Sequence, residues 1–107
     1  MLFHACDNEN KSIVNFLLEH GADINKENIF GEIPLFYACK NENKTMVKFL
    51  VELGADVNKK NIFGDSVLLY TYITGNEFIV KYLVEHGANV NEVDDIEIQT
   101  LSLDRKP

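Results

Sequence analysis

The sequence lacks the long apolar run that a membrane-spanning helix requires. Its longest apolar-leaning stretch is VLLYTYI, residues 67–73, whereas a bilayer demands about 20 apolar residues in succession. The N-terminal stretch, MLFHACDNEN, has no basic region before its apolar residues and reaches Asp7 at once, so it does not have the form of a secretory signal. By default we expect a cytoplasmic protein, with the nucleus as the alternative location.

Positive charge is also scarce in this chain. The formal net charge is −7 and the isoelectric point is about 4.8. A surface that binds nucleic acid needs a basic face for the phosphates, so the composition argues against nucleic acid and equally against an anionic membrane surface. With 107 residues, 46% hydrophobic and 25% charged, the chain otherwise has the composition of one ordinary globular domain.

Motifs of catalysis and of cofactor binding are absent from the sequence. It contains no phosphate-binding loop, no dinucleotide-binding glycine pattern and no Cys/His spacing suited to zinc. We therefore predict no enzyme activity, no catalytic residues, no cofactor and no metal site. His20 and His86 each precede a glycine that ends a helix, where an imidazole complements the helix dipole, and a metal site is the weaker alternative. Asp94 and Asp95 are interpreted as solvated charge, because the fixed spacing of a calcium loop is missing.

A repeat with a period of 33 residues is the strongest signal in the sequence. Residues 2–25, 35–58 and 68–91 align as LFHACDNENKSIVNFLLEHGADIN, LFYACKNENKTMVKFLVELGADVN and LLYTYITGNEFIVKYLVEHGANVN. Periods of 20–50 residues are typical of stacked supersecondary units. Cys6 and Cys39 are also one period apart, and equivalent residues on stacked helices lie about 8–10 Å apart, which is too far for a disulfide. We expect two buried free thiols.

Each unit is predicted to contain two antiparallel helices and an extended turn. Residues 34–40 begin with proline and end at an asparagine-rich stretch, which predicts a short helix. Asn43 is a good N-cap for the next helix, which ends at Gly54. Asn10 and Asn76 are the equivalent N-caps in the other two units. The apolar faces of these second helices are predicted to include Met46, Val47, Phe49, Leu50 and Val51, and equivalently Ile13, Val14, Phe16, Leu17, Leu18, Phe78, Ile79, Val80, Tyr82, Leu83 and Val84.

The segment GADVNKKNIFG alternates polar and apolar residues between glycines, so we expect it to project as an extended turn or hairpin. The repeated asparagines of this segment are predicted to bond to neighbouring backbone and to tie one projection to the next: Asn25, Asn58 and Asn91.

These patterns resemble the ankyrin repeat family. GEIPLFYAC follows the family pattern D-x-x-G-x-T-P-L-H-x-A-A, and the three endings GADIN, GADVN and GANVN stand in register. The resemblance implies an all-α solenoid of stacked helix-turn-helix units with projecting β-hairpin-like turns. It also implies a protein-protein interaction module, with a structural spacer segment of a longer array as the alternative.

The repeat boundaries follow from the alignment. We expect a single domain, 1–107, with a partial repeat at 1–25, full repeats at 26–58 and 59–91, and a partial repeat or C-terminal cap at 92–107. Both end repeats are incomplete, so the expectation is a piece of a longer array that is monomeric by itself. Ile33 and Phe36 replace the usual threonine and histidine and are expected to pack in the core. Tyr72 replaces the small residue of the other units, which predicts a wider stack there or its end nearby.

The stretch NIFG occurs twice, at residues 28–31 and 61–64, and places isoleucine and phenylalanine where a surface turn is normally polar. In the family that the chain resembles, binding usually falls on the turn tips and on the exposed side of each first helix. Carried over position by position, the predicted partner-binding residues are Ile29, Phe30, Glu32, Tyr37, Lys40, Asn41, Ile62, Phe63, Asp65, Tyr70, Ile73 and Thr74. The identity of the protein partner stays open. Because the third tip reads DDIE, a partner that uses the apolar tips is expected to stop before Asp94.

Overall fold

The structure, a computed structural model, describes residues 2–7 and 10–91. Within these ranges the chain forms six α-helices, α1 Leu2–Asp7, α2 Lys11–Glu19, α3 Pro34–Lys40, α4 Lys44–Glu52, α5 Val67–Thr74 and α6 Glu77–Glu85. The described part contains no β-sheet, only one antiparallel bridge between Lys60 and Ser66. The all-α class predicted from the sequence is confirmed.

The helices begin where side chains can satisfy their first backbone N–H groups. Asn10, Asn43 and Asn76 each accept a hydrogen bond of 3.1 Å from the N–H three residues further on, which confirms the three predicted N-caps. Pro34 occupies the first turn of α3. In α5 the equivalent position is valine, and the hydroxyl of Ser66 caps the helix instead by accepting from the Leu69 N–H at 3.1 Å.

The two histidines lie at the C-terminal ends of α2 and α6, as predicted. The Nδ1 atom of His20 lies 2.8 Å from the carbonyl oxygen of Phe16, and that of His86 lies 2.7 Å from the carbonyl oxygen of Tyr82. The imidazole rings also pack on the side chains of Phe16 and Tyr82, with ring centroids 4.2 and 4.0 Å apart. Each imidazole therefore adds a second contact to a carbonyl oxygen that already accepts the histidine's own backbone N–H, at 3.2 Å for Phe16 and 3.1 Å for Tyr82.

The helices stack in two layers. The first helices of the units, α1, α3 and α5, form one layer, in which α3 packs against both of the others. Each first helix also packs against the second helix of its unit, α2, α4 or α6. In this second layer α4 packs against α6. The core lies between the layers, and its largest fully buried side chains are Val14, Ile33, Leu35, Phe36, Met46, Val47, Leu50, Val67, Leu68, Thr71, Ile79 and Leu83. Ile33 and Phe36 are wholly buried, so the predicted exchange of a polar pair for apolar packing is confirmed.

The apolar faces of the second helices are narrower than predicted. On α4, Met46, Val47 and Leu50 are buried. On α2 and α6, however, Ile13, Phe16, Phe78 and Val84 are exposed, so these members of the predicted apolar faces do not belong to the core. A second helix touches the core along one stripe only, and residues a third of a turn or more from that stripe point to solvent.

Asparagines tie successive projections together. Asn25 Oδ1 accepts a hydrogen bond of 2.8 Å from the Asp56 N–H, and its amide donates to the Gly54 carbonyl oxygen at 3.4 Å. Asn58 repeats the pattern one unit later, with distances of 2.8 Å from the Asn89 N–H and 3.0 Å to the Gly87 carbonyl oxygen. The prediction is confirmed for these two. The projection to which Asn91 would bond lies outside the described residues.

Candidate functional site

Each NIFG turn is closed by its own asparagine. Asn28 Oδ1 accepts hydrogen bonds from the N–H groups of Phe30 at 2.9 Å and Glu32 at 3.0 Å. Asn61 Oδ1 does the same for Phe63 at 2.9 Å and Asp65 at 3.0 Å. Because these bonds hold the main chain in a tight loop, the two central side chains of each turn are directed outward. We call the four of them the tip residues; they are Ile29, Phe30, Ile62 and Phe63.

All four tip residues are exposed to solvent. Their exposed fractions are 85% for Ile29, 45% for Phe30, 65% for Ile62 and 69% for Phe63. Isolated exposed apolar residues are ordinary on protein surfaces, but a contiguous group marks a site of interaction more often.

The two turns are joined directly. The Ile62 N–H donates a hydrogen bond of 2.9 Å to the Phe30 carbonyl oxygen. Gly31 permits this approach, since its φ is +74° and a Cβ atom there would lie 3.1 Å from the Ile62 nitrogen. Alongside, the ammonium of Lys59 forms an ion pair with the carboxylate of Glu27. The tip residues of both turns therefore belong to one fixed surface.

Tyrosines anchor the turns to the first helices. The Asn28 amide donates to the hydroxyl of Tyr37 at 3.3 Å, and the Asn61 amide donates to the hydroxyl of Tyr70 at 3.1 Å. Each asparagine thus uses its oxygen to close a turn and its nitrogen to hold that turn on α3 or α5.

An ion pair between the buried Glu32 and the exposed Lys40 lies behind the first turn. Glu32 is only 4% exposed, and both its carboxylate oxygens accept hydrogen bonds from Lys40 Nζ, at 3.0 and 3.2 Å. The hydroxyl of Tyr70 donates to Glu32 Oε2 at 3.1 Å. The Lys40 ammonium also lies 5.5 Å from the ring centroid of Tyr37 and 5.1 Å from that of Tyr70. The cluster links the first turn to α3 and α5 and fills the space between them.

The environment of the cluster changes the pKa values of Glu32 and Tyr70. Burial raises the pKa of Glu32, but the hydrogen bonds and positive charge of Lys40, with hydrogen bonds from Tyr70 and Asn28, outweigh burial and hold that pKa below its usual value. Burial, followed by the hydrogen bond to Glu32 and the negative charges of Glu32 and Asp65, raises the pKa of Tyr70 to about 12. Glu32 is therefore charged and Tyr70 neutral at pH 7.

The structure divides the predicted partner-binding residues into two groups. Glu32 was predicted to be part of a contact surface, but it is buried; the reason is that Lys40 and Tyr70 satisfy its carboxylate inside the stack. Tyr37, Asp65 and Tyr70 are half-buried. The exposed residues are the tip residues and four residues at the C-terminal ends of α3 and α5, namely Lys40, Asn41, Ile73 and Thr74.

Sequence reasoning missed a second group of exposed apolar residues. Ile13, Phe16 and Phe78 lie on the second helices, on the opposite layer from the first helices. Helical periodicity predicted them as members of the apolar faces but not their exposure, and the spacing of Phe16 from His20 was the available signal that this ring belongs to a helix end. Tyr72 is also exposed, at the last first helix that the structure describes, whereas Cys6 and Cys39 at equivalent positions are buried.

The described residues show no constellation suited to catalysis or metal binding. No group of three or more His, Cys, Asp or Glu residues within them could hold a metal ion. Cys6 and Cys39 are free and buried, as predicted, and burial raises their thiol pKa values to about 11 and about 12. A thiol must ionise to act as a nucleophile, so both are protonated and inert at neutral pH. Asp94 and Asp95 lie outside the described residues.

Comparison with known proteins agrees with this geometry. The family model for ankyrin repeats, in three copies, matches residues 2–95, and the chain belongs to that family. Ankyrin repeats are generally protein-interaction modules and typically non-enzymatic. A solved structure of the Legionella effector AnkH is similar, with a TM-score of 0.83 and 32% identity over 88% of this chain. The chain spans 20% of the AnkH chain. The search of curated proteins found no match.

The helices are short by the standard of membrane proteins. Among the described residues the longest helices have nine residues, and none is both long and apolar enough to cross a bilayer.

Proposed function

We propose that this chain is a protein-interaction module whose contact surface consists of the tip residues and the exposed ends of α3 and α5. The observation that carries the proposal is the joint exposure of four large apolar side chains on two turns that are hydrogen-bonded to each other and anchored by Tyr37 and Tyr70. A surface already fixed before binding loses little conformational entropy when a partner is bound.

The proposed surface combines apolar and polar side chains. Besides the apolar tip residues it includes polar or charged residues that are partly or fully exposed, namely Lys40, Asn41, Asp65 and Thr74. Interfaces commonly combine an apolar core with a polar rim, and a few large side chains supply most of the binding free energy. The tip residues are the candidates for that role here.

The test compares affinity capture by the full chain with capture by a variant that carries Ile29→Ser, Phe30→Ser, Ile62→Ser and Phe63→Ser. We expect the variant to lose the proteins that the native chain retains. A matched control carries Ile13→Ser and Phe16→Ser, which remove exposed apolar area from α2 instead, and it should retain them. Circular dichroism and thermal unfolding establish that both variants are folded. Equal retention by the tip variant and the native chain would refute the tip-centred proposal.

A second candidate is that the chain is a structural spacer in a longer array, with recognition elsewhere. The relation to AnkH favours it, since the chain corresponds to only 20% of that longer chain. On this alternative the native chain captures no protein specifically, and the tip variant behaves like the native chain.

The repeat boundaries belong to the same proposal: 1–25, 26–58, 59–91 and 92–107. The proposal also includes a cytoplasmic or nuclear location. The proposed partner there is a protein, and neither nucleic acid nor a membrane. The expected stop of the partner before Asp94 concerns residues outside the described part.

A further inference from the structure

The cluster behind the first turn, in which only Glu32 is buried, is a site for a basic side chain, and its occupant is Lys40. The ammonium lies 3.0 and 3.2 Å from the two carboxylate oxygens of Glu32 and within 5.5 Å of the ring centroids of Tyr37 and Tyr70. Carboxylate contact and contact with aromatic faces are the two interactions that attract a lysine ammonium. The chain therefore shows in one repeat how it holds a cation.

One repeat further along, the part of that site contributed by a single repeat recurs; the position equivalent to Tyr70 is then Leu103, which lies outside the described residues. Asn61 takes the place of Asn28, Tyr70 that of Tyr37 and Asp65 that of Glu32. The backbone N–H of Asp65 donates to its asparagine at 3.0 Å, as that of Glu32 does, and the asparagine-to-tyrosine bonds measure 3.1 and 3.3 Å.

The lysine does not recur within the next repeat. Ile73 stands at the position of Lys40, 33 residues later, and is 67% exposed. Neither of the two ion pairs found among the described residues includes Asp65. The Asp65 carboxylate is half-buried, and its charge is felt by Tyr70, whose pKa it helps to raise after burial and Glu32. A partly desolvated carboxylate without a counter-ion is less stable than one that has a partner.

We propose that Asp65, Tyr70 and Ile73 form a recognition position for a lysine or arginine side chain of the protein partner. The inference rests on the proposed function and adds to it the chemistry of one partner residue. The methylene groups of such a side chain pack over the exposed Ile73, while its charged head reaches Asp65 beside Tyr70. Long basic side chains bind in this way when an apolar surface borders an acid. The net charge of −7 favours the approach of a basic partner segment.

The probes are two peptides, acetyl-Ala-Leu-Lys-Leu-Ala-amide and the same peptide with norleucine in place of lysine. Each is titrated into the full-length, ¹⁵N-labelled chain, and the amide resonances of Asp65 and Ile73 are followed. We expect the lysine peptide, and not the norleucine peptide, to shift them. Asp65→Asn should weaken the lysine peptide by about three- to tenfold, the loss typical of one ion pair with an aromatic neighbour.

Two further variants sharpen the test. Glu85→Gln removes the same charge from the exposed face of α6 and should leave the affinity unchanged, which controls for general attraction to an acidic protein. Ile73→Lys places an ammonium in the chain itself, as Lys40 does one repeat earlier, and should abolish binding of the lysine peptide.

Any one of the following results would overturn the inference: equal shifts by the two peptides, unchanged affinity in Asp65→Asn, equal weakening by Glu85→Gln, or undiminished binding by Ile73→Lys. The double variant Arg105→Gln with Lys106→Gln is measured without peptide. If these substitutions shift the Asp65 amide resonance, the recognition position belongs to the chain's own cations, which would also overturn the inference. Failure of the lysine-recognition proposal would not contradict the proposed role of the tip residues in binding a partner. Conversely, a tip variant that still captures the partner contradicts the proposed function and not the charge-selective site.

Discussion

The N–H of Ile62 and the carbonyl oxygen of Phe30, 2.9 Å apart, form a main-chain hydrogen bond between two successive turns. This bond makes the tips parts of one surface rather than two independent loops. It fixes the spacing of the apolar side chains that a partner would meet, and it depends on the absence of a side chain at Gly31.

Gly31→Ala should destabilise the fold more than Gly64→Ala. Both glycines have positive φ angles, +74° and +82°, so both substitutions carry the backbone strain of a left-handed residue, about 1–2 kcal/mol. At Gly31 the new Cβ also meets the Ile62 nitrogen at 3.1 Å, whereas nothing lies within 4 Å at Gly64. We expect a further loss of about 1 kcal/mol for Gly31→Ala, measured by urea unfolding. Equal losses for the two variants would show that the contact between the turns is unimportant.

Tyr70→Phe should cost more stability than Tyr37→Phe. The Tyr70 hydroxyl donates to the buried carboxylate of Glu32 at 3.1 Å and accepts from Asn61 at 3.1 Å, whereas that of Tyr37 accepts one hydrogen bond of 3.3 Å from Asn28. Removal of a donor from a buried charged group costs about 1.5–3 kcal/mol, and loss of one long neutral bond about 0.5 kcal/mol. Chemical denaturation of the two variants side by side measures the difference, and the reverse order would contradict the assigned network.

Acid should remove the stability that Glu32 contributes. The pKa of Glu32 in the fold lies below its ordinary value of 4.5 because Lys40 and its other hydrogen-bond partners outweigh burial. A carboxyl group of this kind stabilises the fold fully above its unfolded pKa, and the contribution disappears as the pH falls through the folded pKa. The unfolding free energy of the native chain minus that of Glu32→Gln should therefore be constant near pH 7 and fall below about pH 4.5. A difference that does not change between pH 7 and pH 3 would argue against the ion pair.

The thiols of Cys6 and Cys39 should be unreactive in the folded protein. Both are buried, and burial raises their pKa values to about 11 and about 12, so the reactive thiolate is scarce at pH 8. A colorimetric disulfide reagent should titrate both thiols rapidly in urea and only slowly without it. Fast reaction of one thiol in the native protein would show that its part of the stack opens.

Local features of the fold were predictable from the sequence. The N-cap role of Asn43 depends only on neighbouring residues, and so does the start of α3 at Pro34. The links made by Asn25 and Asn58 were predictable because the period of 33 residues places equivalent turns side by side. In each case the sequence within one or two repeats contains the whole physical cause.

The interior of the site was not predictable in the same way. Glu32 and Tyr70 are 38 residues apart, and their hydrogen bond depends on how closely α5 packs against α3. From the sequence alone, Glu32 and Lys40 were predicted as two separate partner-binding residues, and nothing local indicated that they pair with each other. The exposure of Phe16 was not predictable for a related reason. Helical spacing shows that Phe16 shares a face of α2 with other apolar residues, but it does not show how far the core reaches around the helix.

The central claim is that a protein partner contacts the tip residues, and site-specific photo-cross-linking tests it most directly. A photoreactive phenylalanine analogue is placed at Phe63 in one sample and at Phe16, an equally aromatic exposed position on α2, in another. Each sample is mixed with the captured partner and irradiated. We predict a covalent adduct with the partner from position 63 and none from position 16. An adduct from position 16 alone, or from neither position while the partner remains bound, would contradict the account.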